Sequence, residues 1–289
     1  MKISLVFITT FINENYIYKF LNSVLENNHD INILIVLVNQ TRNRIKVEKI
    51  NNRVFFHEIM VEKQSLSAAR NIGVRYLLNS KIKFDYIQFP DDDSSYDGSF
   101  FNKFNDVTIK NENYLIDVFG ENTTDLYIPN KKTNNSLIYS IHPQIAMSVN
   151  LLIKYDTFLE VLFFDEKMGV GTEFGAGEDS DYFLRCVQIS GPFTYSKDLW
   201  NYHPKYEIKH KQLSFKVLIN KYKNYGKGVI FLHYKHKLYR QAILLCIYAF
   251  IGAFYALFFK FDIKLFFARL SAFWYRSITF IMLVFKFVK

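Results

Sequence analysis

The 289-residue chain has little cysteine, proline or glycine: two, five and eleven residues. Cys186 and Cys246 cannot build a disulfide framework, and no Cys-x-x-Cys pair offers a zinc spacing. A reducing compartment is therefore the simpler setting. With half the residues apolar and 18% aromatic, the scarcity of proline and glycine excludes a disordered or low-complexity chain. No internal repeat and no long linker is visible. The N-terminal MKISLVFITTFINEN has a short apolar run broken by Thr9, Thr10 and Asn13, and lacks a small-residue cleavage site. A buried first strand is expected there rather than a signal peptide.

Acid is scarce in one region. Between Asn201 and Arg240 ten lysines and arginines stand against Glu207 alone, in a chain of net charge +9. A solvated face is the bland reading; an anionic partner, membrane lipid or nucleic acid, is the sharper one. The run leads into AILLCIYAFIGAFYALFF, Ala242 to Phe259, which carries no charge. As a helix it would span roughly 27 Å, close to the hydrocarbon thickness of a bilayer. Lipid is favoured over a buried core helix, and nucleic acid is disfavoured because no groove-reading motif follows. The basic flank argues for a cytoplasmic N-terminal side. Beyond it, Asp262, Arg269 and Arg276 recur every seven residues and share one helix face. An interfacial helix is preferred; a second, imperfect span and a protein–protein helix also fit.

Strands and helices alternate in the first ninety residues. ISLVFI (3–8) and INILIVLVNQ (31–40) read as buried parallel strands, with a strand at Arg53–Ile59 and another at FDYIQF (84–89). Asn13 can cap a helix with Ile17, Phe20, Leu21, Val24 and Leu25 on one face, and SLSAARNIGVRYLLNS reads as a second helix. This order predicts an open α/β sheet, whose ligands bind beyond the carboxyl ends of the strands. Thr9-Thr10, Asn39-Gln40 and Asp91-Asp92-Asp93 fall there. Asn130–Ser136 (NKKTNNS) and the glycine-bearing Thr172–Gly177 are expected to be mobile loops.

Asp91, Asp92 and Asp93 close a hydrophobic strand at Pro90. Hard divalent cations prefer carboxylate oxygens, and alternation along an extended turn lets Asp91 and Asp93 share one ion while Asp92 faces away. A solvated acidic turn is the bland alternative. Arg70, the lone charge among small residues, could reach phosphate oxygens bidentately or be an ordinary exposed arginine. The segment FFDEKMGVGTEFGAGEDSDYFLR (163–185) delivers Glu178 and Asp179 from a glycine loop to the start of a helix. Helix capping and general-base catalysis both use carboxylates so placed. His203 could complete a metal site, bind phosphate or be structural.

Taken together, these residues resemble a family 2 glycosyltransferase of the GT-A fold over about residues 2–235. The strand ending in Thr9-Thr10-Phe11, SLSAARNIG followed by PDDD, and FDEKMGVGT…GEDSDYFLR occur in the family's order; KNYGKG (223–228) resembles a segment preceding the membrane region of bacterial members. The resemblance implies a catalytic domain at 1–235 and a C-terminal helical membrane-associating region at 236–289. It implies a nucleotide-sugar donor, most often a UDP-sugar, with Mn²⁺ or Mg²⁺, and inverting transfer to a saccharide or lipid-linked saccharide hydroxyl in bacterial envelope, capsular or O-antigen polysaccharide synthesis. Asp93 and Asp91 would hold the ion, with His203. Thr9, Phe11, Asn39, Arg70, Asp91 and Asp92 would line the nucleotide and diphosphate site. Asp179 would be the base, with Glu178 beside it. Asn39-Gln40 departs from the acidic residue that many members carry after the second strand. A non-catalytic nucleotide-sugar-binding or scaffold subunit is the alternative. A nucleotidyl or phosphoryl transferase would need a glycine loop after the first strand, and FITTFINEN has none.

Overall fold

The computed structural model describes residues 2–27, 29–47, 51–127, 133–139, 146–204 and 213–285. Asn130–Lys132 of the expected loop, and Lys205, Lys209 and Lys211 of the basic run, lie outside these. Internal contacts divide the chain into two units: Met1–Phe164 with Tyr182–Lys205, and Asp165–Asp181 with Tyr206–Lys289.

The first unit is built on one eight-stranded sheet in the order β3-β2-β1-β4-β7-β5-β8-β6. Its strands are β1 (Ile3–Phe11), β2 (Ile33–Asn39), β3 (Val54–Met60), β4 (Phe84–Gln88), β5 (Tyr114–Gly120), β6 (Leu137–Ile138), β7 (Leu151–Lys154) and β8 (Phe193–His203). β3, β2, β1 and β4 are parallel, β7 runs antiparallel between β4 and β5, and β5 pairs parallel with β8. Every residue of β2 is buried, as a strand covered on both faces requires. Helix α1 (Glu14–Leu25) starts at Asn13, whose side chain accepts from the Asn15 N–H. Its Ile17, Phe20, Leu21 and Val24 join Leu5, Phe7 and Phe11 of β1 in the core. Helix α2 (Leu66–Asn79) is capped by Ser65. A Cβ on Gly73 would sit 2.5 Å from Ile8 Cγ2, so glycine there lets α2 lie directly on β1. Helices α3 (Gly98–Thr108) and α4 (Tyr155–Val161) complete this unit, and α5 (Glu178–Ser190) begins in the second unit and continues into the first.

In the second unit, α6 (Phe215–Lys235), α7 (Tyr239–Phe258) and α8 (Ile263–Val284) follow the loop Asp165–Asp181. By length and composition α7 could cross a membrane. Of the seven-residue repeat, Asp262 is exposed just before α8, while Arg269 and Arg276 turn toward α7. Asp262 caps its own helix through the Leu265 N–H; Arg269 Nη1 donates to Gly252 O at 2.9 Å and Arg276 Nη1 to Leu245 O at 2.6 Å. Both arginines thus donate to the backbone of α7. The glycines of the 172–177 loop serve close packing. A Cβ on Gly175 would meet Asn224 at 2.8 Å, and Gly177 has φ +93° against Met168. Phe174 stacks on Phe231 at 3.9 Å.

Candidate metal centre and acidic loop

In the first unit, the chain leaves β4 through Phe89-Pro90 and turns at Asp91–Ser94, where Ser94 N–H and Oγ both bond Asp91 O at 3.1 and 2.7 Å. Ser95 then exchanges two backbone hydrogen bonds with Tyr202, at 3.0 and 2.9 Å. Downstream, Asp97 accepts from Trp200 Nε1 and the Tyr202 hydroxyl. These contacts fix the acidic turn to the end of β8 and bring in His203, more than a hundred residues away in sequence. His203 Nε2 lies 3.4 Å from Asp91 Oδ2 and 3.2 Å from Asp93 Oδ1. One donor atom from each of the three residues lies within 4.8 Å of the others. Asp92 is half-buried and outside this group.

The donor chemistry fits a divalent cation. His203 Nδ1 is 3.1 Å from Pro204 O, and a carbonyl only accepts, so Nδ1 carries the hydrogen. Nε2 is therefore the nitrogen that faces the two carboxylates, the arrangement that orients an imidazole ligand. Burial opposes charge on this ring, but its hydrogen bonds to Asp91 and Asp93 win and raise its pKa to about 9. Burial would raise the Asp91 pKa, yet His203 and Arg70 hold it below the usual carboxylate value.

Arg70 is not the ordinary exposed arginine of the bland reading. It is 1% exposed, and its Nη2 donates to Asp91 Oδ1 at 2.8 Å and Ser148 Oγ at 2.7 Å, while its guanidinium lies 5.2 Å from the Phe164 ring centroid. The next residue, Asn71, bonds both backbone groups of Phe164. Arg70 thus braces the Asp91 carboxylate.

The strand ends hold the remaining expected residues. Thr9 and Phe11 are buried on β1. Gln40 Nε2 donates to Thr10 Oγ1 at 2.9 Å and its Oε1 accepts from the Gln64 N–H at 2.7 Å. Asn39 is fully buried and its side chain is occupied: Nδ2 donates to Asn43 O and Glu58 Oε1, and Oδ1 accepts from Thr41 N–H, each at 2.7 Å. Its amide shapes the 41–45 loop rather than facing a ligand. Glu58, which sequence reasoning missed, supplies a buried carboxylate at this end of the sheet from β3 instead of β2.

In the second unit, Glu178 and Asp179 open α5; Glu178 is buried and Asp179 half-buried. Asp181 is fully buried. Lys235 Nζ bridges Asp165 Oδ2 and Asp181 Oδ1, both at 2.7 Å, and His236 Nε2 reaches Asp181 Oδ1 at 2.9 Å. The two ends of the glycine loop are thereby clamped to the end of α6. Gly228 completes the seat: a Cβ there would lie 2.3 Å from Ala176 O. The signal for this clamp was the basic run itself, in which Lys235 looked like one solvated cation among ten.

No family model matches the sequence, and no curated protein matches it. Solved structures do. The chain is similar to S. aureus TarS 1–349 in complex with UDP, at 14% identity and TM-score 0.57, covering 97% of this chain and 91% of that one. The same fragment in complex with UDP-GlcNAc aligns at 13% identity and TM-score 0.56 over the same shares. At such identity the likeness establishes the fold, which is GT-A: an eight-stranded mixed sheet flanked by helices, with an apolar C-terminal helical region.

Proposed function

We propose that this protein is a nucleotide-sugar-dependent glycosyltransferase. The observation that carries the reading is the Asp91–Asp93–His203 cluster beyond the strand ends of a GT-A sheet; the TarS complexes with UDP and UDP-GlcNAc support the choice of donor class. Asp91, Asp93 and His203 would hold Mn²⁺ or Mg²⁺, which would supply positive charge against the diphosphate leaving group. Arg70 acts through Asp91, fixing the carboxylate and adding its charge beneath it. Asp179 takes the proton of the acceptor hydroxyl, with Glu178 beside it, and the sugar is transferred with inversion in one displacement. These last roles rest on the family 2 resemblance.

The catalytic region is assigned to residues 1–235 and a membrane-associating region to 236–289, on the cytoplasmic face, near a saccharide or lipid-linked acceptor of envelope polysaccharide. Incubation with a panel of nucleotide sugars and Mn²⁺, with release of nucleoside diphosphate as readout, tests the reading. Turnover with at least one donor, lost in Asp93→Asn, is expected. Asp179→Asn should lose about 10²–10⁴-fold in rate while donor binding stays within about twofold. Metal-dependent donor binding with no turnover on any acceptor would replace the enzyme by a non-catalytic nucleotide-sugar-binding subunit.

A further inference from the structure

We propose that the second unit binds the surface of an anionic bilayer in plane, with α7 as its immersed face, and that no helix of it crosses the membrane. This deepens the membrane association above and is independent of the catalytic roles. The packing of α7 is inverted relative to a water-soluble helix. Ala242, Ala249, Ala253 and Ala256 form its buried seam, while large apolar residues such as Ile247, Ile251, Phe254 and Phe258 are exposed. At 3.6 residues per turn the exposed side chains sweep about half the circumference over the whole helix. Small residues in the seam and large apolar residues outside are the pattern of helices packed in lipid.

Length alone would allow α7 to span. Its partners decide otherwise. Arg269 reaches Gly252 O and Arg276 reaches Leu245 O, so seven residues forward on α8 is seven residues back on α7, and the pair is antiparallel along its length. On its other side α8 runs parallel to α6. Phe215 meets Phe267 with ring centroids 6.1 Å apart, a Cβ on Gly226 would lie 3.3 Å from Ala272 O, and Ile230 packs in one cluster with Leu283. The three helices therefore share one axis direction. If α7 crossed a bilayer, α8 and α6 would cross with it, taking Lys216, Lys221, Lys223 and Lys227 into hydrocarbon. Lying flat, α7 meets lipid while α6 keeps its lysines in water.

Charge selects lipid over a second copy of the chain. The apolar face is flanked by Lys237 and Arg240 at one end and by Lys260 and Asp262 at the other, while the Lys264 ammonium turns to Leu213 O. A second copy laid on this face in register would set Lys237 and Arg240 against their own counterparts. Anionic headgroups complement both.

The test uses the full chain and sealed vesicles, without metal or donor. Flotation with phosphatidylglycerol–phosphatidylcholine vesicles should carry the protein, phosphatidylcholine alone should carry at least fivefold less, and Ile247→Glu with Ile251→Glu should release it. In a Cys186→Ser, Cys246→Ser background, thiols introduced by Lys237→Cys or by Lys260→Cys should be labelled equally by an impermeant maleimide added outside. Labelling of one and protection of the other until detergent is added would mean a span and overturn the proposal. So would failure to float in both lipids, or a stable dimer broken by the glutamate pair. Far-ultraviolet circular dichroism of each variant beside the native chain separates loss of binding from loss of folding.

Discussion

Replacing Arg70 by methionine removes a buried cation while nearly preserving volume. Arg70 is 1% exposed, and its Nη2 serves both Asp91 and Ser148. Breaking a buried ion pair by removing one partner costs about 3–5 kcal/mol, mainly because the other charge is stranded. Here the Asp91 side chain is 33% exposed and can rehydrate, which places the cost at the lower end, about 3 kcal/mol. With a urea slope of about 2 kcal/mol per M, the midpoint for the first unit should fall by about 1.5 M. Trp200 reports on that unit, and Trp274→Phe removes the other tryptophan signal. Asp91→Asn should cost at least as much, because it removes the carboxylate from beside a guanidinium that cannot reach water. The double variant should be less damaging than the sum by about 2 kcal/mol. A midpoint shift under about 0.3 M for Arg70→Met, or strict additivity, would refute the buried-prop argument.

The remaining predictions concern other parts of the chain. Lys235→Met strands fully buried Asp181 with His236 as its remaining clamp partner, and should lower stability by about 3 kcal/mol in denaturant unfolding; a neutral outcome would show that the clamp is not a stabilising contact. Gly228→Ala drives a methyl group into the backbone of Ala176, at 2.3 Å from O and 2.5 Å from N, and should cost at least about 2 kcal/mol by the same assay. Burial lowers the pKa of His29, whose Nδ1 donates to Ile31 O at 3.0 Å. The unfolded chain therefore binds a proton below about pH 6.5 that the folded chain refuses, and stability should fall with falling pH there by up to about 1.4 kcal/mol per pH unit. His29→Gln should flatten the part of that slope that is due to His29; an unchanged profile would show that His29 is not its source.

The parts of the fold legible in sequence are those set by local pattern. β1 and β2 are continuous apolar runs, Asn13 and Ser65 are caps, and the Asp triplet follows a strand at a proline. The core helix face of α1 was readable from helical spacing alone. The last four strands were not: β8, FTYSKDLWNYH, mixes polar and aromatic residues, and it is a strand because β5 pairs with it. Without that pairing His203 had three readings; with it, the ring lands between Asp91 and Asp93. Of the two readings of Arg70, burial excludes the exposed arginine; its partners, Asp91 and Ser148, were not legible from its small neighbours. Asn39 looked like a ligand contact because of its place at a strand end, and its three local hydrogen bonds need the folded loop to be seen. On α8 the spacing of Arg269 and Arg276 was correct as a face, but only tertiary packing shows which way the face turns.

Calorimetric titration of the metal-free chain with Mn²⁺ in the presence of UDP bears most directly on the central claim. One ion per chain should bind, and Asp93→Asn and His203→Ala should each weaken it by at least tenfold. Binding left unchanged by both substitutions, or no binding to the folded protein at all, would contradict it.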